Sequence, residues 1–269
     1  MKKKKANTNF ILGCILLGCI CVFALSGLVF MPYDPEAMDV TAKLAAPSLL
    51  HPFGCDNFGR DIFSRTQSGT LITLLIGTAA VGIGTVGGTI LGALMGYYGG
   101  VTDGILMRVT DVLFAIPSIL LALIFISLFG SGNLNVILSL GIAMIPSFAK
   151  MMRQEFLTQR EMGYVQTAKM LGASDFRILT VHILPNVMPT FANCILISFN
   201  NTVLAEAGMS YLGIGVQPPQ ASLGRMLSEA QGYLRSAPFY TIFPGVILII
   251  MLFGICLISE KGRNKNALR

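Results

Sequence analysis

Charge is what this chain has least of. Only 12% of its 269 residues are Asp, Glu, Lys or Arg, 54% are hydrophobic, and the mean hydropathy is +0.71. So little charge cannot solvate the surface of a soluble chain this long, and composition alone places it in a bilayer. Other absences narrow the chemistry. There is no G-x-x-x-x-G-K-[ST] run, so the chain has no nucleotide phosphate loop of its own. Its two histidines, His51 and His182, fall in segments on opposite sides of the membrane, and no nucleophile-base pair is evident, which removes an intramembrane enzyme. The six cysteines form neither a CxxC metal site nor a disulfide framework: Cys14, Cys19, Cys21, Cys194 and Cys256 lie in apolar runs, and only Cys55 lies outside them. The net charge of +6 comes without an aromatic-interleaved basic patch, so it reports membrane orientation and not nucleic-acid binding. No cofactor and no metal site is expected.

A hydrocarbon core of ~30 Å takes roughly 20 apolar residues to cross as a helix. Five charge-free intervals are long enough, at 6–33, 66–102, 112–149, 183–205 and 236–259. The third holds two helices, separated by the turn-forming cluster Gly130-Ser131-Gly132-Asn133-Leu134-Asn135. The expected fold is therefore an all-α integral membrane protein with six transmembrane helices. Even parity puts both termini on one side, together with Arg108, Lys150, Arg153, Arg160, Lys169 and Arg177. With Lys2 to Lys5 and the basic tail added, the positive-inside rule makes that side cytoplasmic and leaves Lys43, Arg60, Arg65, Arg225 and Arg235 opposite. The chain then divides into a first helix and external loop (1–65), a five-helix core (66–259) with a cytoplasmic loop at 150–186, and a tail (260–269). Lys2 to Lys5 ahead of an apolar run imitate a signal peptide. The run, however, continues to Met31, past the ~7–15 residues of a cleavable segment.

Two features of the spans carry physical content. Gly82 to Gly87 form a G-x-G-x-x-G pattern, but no strand precedes it and no acidic residue follows at the ribose position, so it is not a dinucleotide site. Glycines recurring every fourth residue, at Gly84, Gly88, Gly92, Gly96 and Gly100, instead make a small-residue stripe for close approach of another helix, in this chain or in a second subunit. The fifth span carries Asn193, Asn200, Asn201 and Glu206. These either line a translocation path or, for the asparagines, bond between helices and, for Glu206, bond to the loop that follows.

The longest polar interval between spans, 150–186, contains the clearest local pattern. From Glu161 to Leu171 the residues Tyr164, Val165, Ala168 and Leu171 share one helical face, with Gln166 and Lys169 elsewhere. Gly172 suits a left-handed C′ position, Ser174 an N-cap, and Pro185 is expected to end the short second helix.

The run from Tyr164 through Val165, Gln166, Thr167, Ala168, Lys169, Met170, Leu171, Gly172 and Ala173 to Ser174, followed by His182-Ile183-Leu184-Pro185-Asn186, resembles the cytoplasmic "EAA" loop of ABC-importer permeases. It is most similar to the dipeptide, oligopeptide and nickel subgroup. Gln166 and Thr167 stand where that family usually has Glu and Ala, and Leu223 stands where it usually has Trp. Gly59-Arg60-Asp61, Pro117 and the stretch Leu212 to Pro219 also match family features. The resemblance implies a type I ABC-importer permease fold in which Tyr164 to Ala168, Lys169 and Leu171 to Ser174 contact an ATPase. It also implies two ATPase subunits, a homologous second permease and an extracytoplasmic binding protein as partners. The implied cargo is a peptide, nickel or a metallophore. The competing expectation is an ion-gradient-driven transporter or channel using Glu206.

Overall fold

The computed structural model describes the backbone of residues 2–266 and the side chains of residues 8–260. The basic residues Lys2 to Lys5 and those from Lys261 to Arg269, on which part of the expected charge asymmetry rests, lie outside the described side chains. The long helices are α1 (Lys2–Val29), α2 (Ile62–Ala93, continued by a π-turn Leu94–Tyr98), α5 (Asn133–Arg160), α8 (Leu184–Tyr211) and α10 (Pro238–Asn266). The shorter ones are α3 (Gly100–Phe114), α4 (Ser118–Phe129), α6 (Gly163–Met170), α7 (Asp175–Arg177) and α9 (Leu223–Ala230). The beginning of α1 and the end of α10 meet, with Asn9 donating to the Glu260 carboxylate at 3.0 Å.

The glycine stripe finds its partner within the chain. A Cβ at Gly84 would sit 2.8 Å from Met144 Cβ, at Gly92 2.5 Å from Met152 Cβ, and at Gly96 2.6 Å from the Arg153 carbonyl; at Gly88 it would collide with Phe148 Cβ. All four face α5, which answers with its own Gly141 against Ile83. Gly100 is different: nothing lies within 4 Å of its Cβ position, and its φ of +57° marks it as a turn residue. A second seam joins α1 to α10, where a Cβ on Gly13 would lie 2.7 Å from the Gly254 carbonyl. Backbones this close trade dispersion contacts over their whole length, which is what holds helices together where lipid removes the hydrophobic drive.

The third crossing departs from a simple span. Pro117 cannot donate a backbone bond and disfavours helical geometry in the residue before it, so the helix breaks at 115–117 and α4 leaves α3 at 89°. The 12 residues of α4 reach ~18 Å, short of the ~30 Å core, so this crossing is a broken one. The other five crossings are long and apolar enough by themselves. Arg108 sits on α3, which packs against α5 and the π-turn Leu94–Tyr98. Two ion pairs pin α3 to α5: Arg153 grips Asp103 through two 2.6 Å bonds, and Lys150 lies 2.7 Å from Asp111 and 3.9 Å above the Phe114 ring.

At the opposite end the 30–61 loop is clamped by a buried charge cluster. Arg60 donates to Asp56 at 2.6 Å, and Arg60 and Arg65 both donate to Glu229 of α9, at 3.0 and 3.1 Å. Tyr240 of α10 adds a 3.2 Å bond to the same carboxylate. Asp61 caps α2 through the Ser64 amide at 2.8 Å and pairs with His51 at 2.9 Å, so the Arg60-Asp61 pair is structural cement.

Candidate functional site

Between α5 and α8 the chain builds a small platform. α6 is only eight residues long and ends in a Schellman motif: the Ala173 amide donates to Ala168 O and the Gly172 amide to Lys169 O, both at 3.0 Å, with Gly172 at φ +78°. Ser174 then caps α7, its Oγ accepting from the Arg177 amide at 3.4 Å. Helix, glycine turn and helix are as the residues predicted. Pro185, however, does not end the second helix. The stretch Ile178–Ile183 is a π-turn in which the Leu184 amide reaches Leu179 O, and this wider turn lets the helix run through Pro185 into α8 without a break.

The platform is bolted to the bundle from one side only. Val165 and Ala168 of α6 are buried with Ile178, Ile183, Tyr97, Phe148, Met152 and Phe156. Tyr97 donates to the Asp175 carboxylate at 2.5 Å, and the Lys169 ammonium stands 4.7 Å over the Tyr97 ring, so the end of α2 braces both short helices. Tyr164 donates to Gln159 Oε1 at 2.6 Å and Gln166 to the Arg160 carbonyl at 3.1 Å, closing the turn from α5 into α6. Thr167 bonds back to the Gly163 carbonyl at 2.9 Å.

Leu171, expected on the packed face with Val165 and Ala168, is 82% exposed, because α6 ends at Met170 and Leu171 already has the turn geometry of a C-cap. Tyr164 is likewise on the outer side. Met170 at 87% and Phe176 at 76% exposure join them, giving an apolar tip that sequence reasoning passed over. The signal was present in Phe176, an aromatic residue alone in a polar stretch.

The path candidates on α8 do not share one wall. Asn201 lines a cavity of about 150 Å³ together with Ser118, Ser147, Ser198 and Thr202, beside the α3–α4 break. Asn200 faces a separate crevice with Cys256, Ser259 and Glu260. Asn193 and Asn200 each keep a buried amide oxygen without a hydrogen-bond partner among the described residues. Glu206 is fully buried and accepts from Thr73 at 3.1 Å and Ser210 at 2.7 Å, turned away from the cavity. No group of three His, Cys, Asp or Glu side chains suited to a metal is found among the described residues.

Comparison with known proteins agrees with this architecture. Residues 88–260 match the family described as binding-protein-dependent transport system inner membrane component. The glutathione transport system permease protein GsiD of Pectobacterium atrosepticum is 39% identical over 235 residues, covering 87% of this chain and 78% of its own. GsiD of Escherichia coli O6:K15:H31 is 39% identical over 251 residues, covering 93% and 82%. Among solved structures, the MetNI methionine ABC transporter in an inward-facing conformation aligns with TM-score 0.59 at 20% identity, over 75% of this chain and 94% of that one, a likeness of fold. The chain belongs to the binding-protein-dependent transport system inner membrane component family: it is a non-catalytic permease subunit of an ABC importer, and ATP hydrolysis belongs to partner subunits.

Proposed function

We propose that this permease carries peptides into the cell by pairing with a homologous permease, two ATPase subunits and an extracytoplasmic binding protein. The platform from Tyr164 to Ser174 is the foothold of an ATPase. What supports this is its asymmetry: Val165 and Ala168 lock it to the bundle, while Tyr164, Met170, Leu171 and Phe176 project from it. Force applied to that tip passes through the Tyr97–Asp175 bond to α2 and through the unbroken π-turn to α8. In this reading the platform and both termini are cytoplasmic. Gln166, though exposed, donates to the Arg160 carbonyl and so is part of the turn's own scaffold, and the contact to the ATPase is mainly apolar.

The cavity beside Asn201 is the permease's share of the path. Its polar groups are hydroxyls and one amide, without a charge, which suits a solute recognised elsewhere and merely allowed through. The relatives that transport glutathione, a tripeptide, favour a peptide cargo over the metal alternatives. The test is uptake of labelled glutathione and dipeptides into proteoliposomes holding the full complex and its binding protein. Uptake that follows ATP and survives a protonophore supports the reading. Uptake that follows an imposed proton gradient without ATP would return the mechanism to Glu206.

A further inference from the structure

Glu206 lies one residue beyond the cavity wall at Ala205, and no charged partner reaches it among the described residues. Two hydroxyls donate to its carboxylate, that of Thr73 at 3.1 Å and that of Ser210 at 2.7 Å. Each hydroxyl also accepts from a backbone amide, Ser210 from Val216 at 3.0 Å and Thr73 from Leu223 at 3.4 Å. With those amides donating in, the hydroxyl protons point to the carboxylate. Glu206 is thus the common acceptor at which two chains of hydrogen bonds meet, and both begin in the 216–223 stretch.

That stretch closes the bundle at the end opposite α6. Val216 is fully buried among Ile76, Leu121, Leu140 and Met209, and Leu140 also lines the cavity. A Cβ on Gly215 would collide with Ser210, and one on Gly224 with the Ala207 backbone, so the segment lies in direct backbone contact with α8. The far end of α9 is held separately, by Glu229 on Arg60, Arg65 and Tyr240. Loosening at Glu206 therefore frees the segment before α9 and the first residue of that helix, while Glu229 keeps its last turn attached.

We propose that Glu206 is a positioning residue for transport, whose carboxylate fastens residues 216–223 above the Leu140 and Ala205 end of the Asn201 cavity, so that this end opens only when the two hydroxyl bonds part. The proposal rests on reading that cavity as the path. Glu206→Gln is close to isosteric but replaces one acceptor oxygen by an NH₂ that meets a hydroxyl already donating toward it.

The test uses the assembled complex in right-side-out vesicles, with the six native cysteines replaced and Ser198→Cys as a cavity probe for a membrane-impermeant maleimide. Glu206→Gln should raise the labelling rate roughly tenfold while the ATPase subunits still co-purify, and Glu206→Asp should give a smaller rise. Labelling at the parental rate in an assembled Glu206→Gln complex overturns the latch. If that variant fails to assemble, Thr73→Val and Ser210→Ala each remove one donor and should raise labelling about threefold; no change in either overturns it equally. Faster labelling that transported peptide does not protect against would keep the latch and refute the path.

Discussion

Replacing Gly92 by alanine tests the helix seam on which the platform depends. The new Cβ would lie 2.5 Å from Met152 Cβ, 2.7 Å from the Ala149 carbonyl and 2.8 Å from the Arg153 amide nitrogen. Ordinary contact is about 3.5–4.0 Å, so α2 and α5 must part by about 1 Å, and a gap of that size forfeits a quarter to a half of each dispersion well it touches. The seam runs from Gly84 to Gly96, ~18 Å of helix, and two rigid backbones cannot open at one point alone. Overpacking of this kind costs about 3 kcal/mol, of which alanine's better helix propensity returns about 1. The net loss of about 2 kcal/mol corresponds to a melting temperature lower by about 4–8 °C in a chain of this size. Gly82→Ala is the matched control, because nothing lies within 4 Å of its Cβ position, and it should melt at or slightly above the parent. The assay is thermal unfolding of the detergent-purified complex followed by size exclusion. Equal melting temperatures for the two variants would refute the seam.

Other substitutions address the platform and the opposite end. Gly172→Val should leave insertion and basal ATPase activity intact and abolish coupled uptake, since its Cβ meets nothing within 4 Å and only the φ of +78° resists it; normal uptake would exclude a strict left-handed requirement. Arg65→Met leaves Arg60 to neutralise Asp56 and share Glu229 with Arg225 in the buried cluster and should cost about 3 kcal/mol, read as an early melting transition; a shift under one degree would mean that water reaches the cluster. The Cys55 thiol is fully buried, and burial with the nearby Asp61 and Asp56 charges pushes its pKa up to about 11. Its reactive thiolate is therefore scarce below that pH, and maleimide at pH 8 should modify Cys55 only after unfolding. Rapid labelling of the native protein would show that the 30–61 loop opens.

Much of this architecture is legible in the residues. Scarce charge and five apolar intervals give the membrane fold, and glycines at every fourth position announce a close helix contact. They cannot name the partner, because spacing encodes distance and not identity, and α5 becomes the partner only through packing. Hydropathy also has no direction: it finds an apolar stretch after Asp111 but not the 89° bend between α3 and α4 at Pro117. Leu171 reads as a packed residue when a regular helix is extended by one position too many. Pro185 reads as a stop because local rules do not anticipate a π-turn that makes room for it. Glu206 stands out as a buried acid, yet its partner Thr73 lies 133 residues away, a separation that no local pattern reveals.

The central claim is that an ATPase pushes on the exposed tip of one small platform. Ala168 is turned into the bundle, so the probe belongs at Leu171, which is 82% exposed. A photo-crosslinker at Leu171 in native membranes should trap an ATPase subunit, with a yield that changes between ATP-bound and nucleotide-free states. The same probe at Leu49 of the opposite loop should trap none. Failure to trap an ATPase from Leu171, Met170 or Phe176 in membranes that still perform ATP-driven uptake would contradict the account.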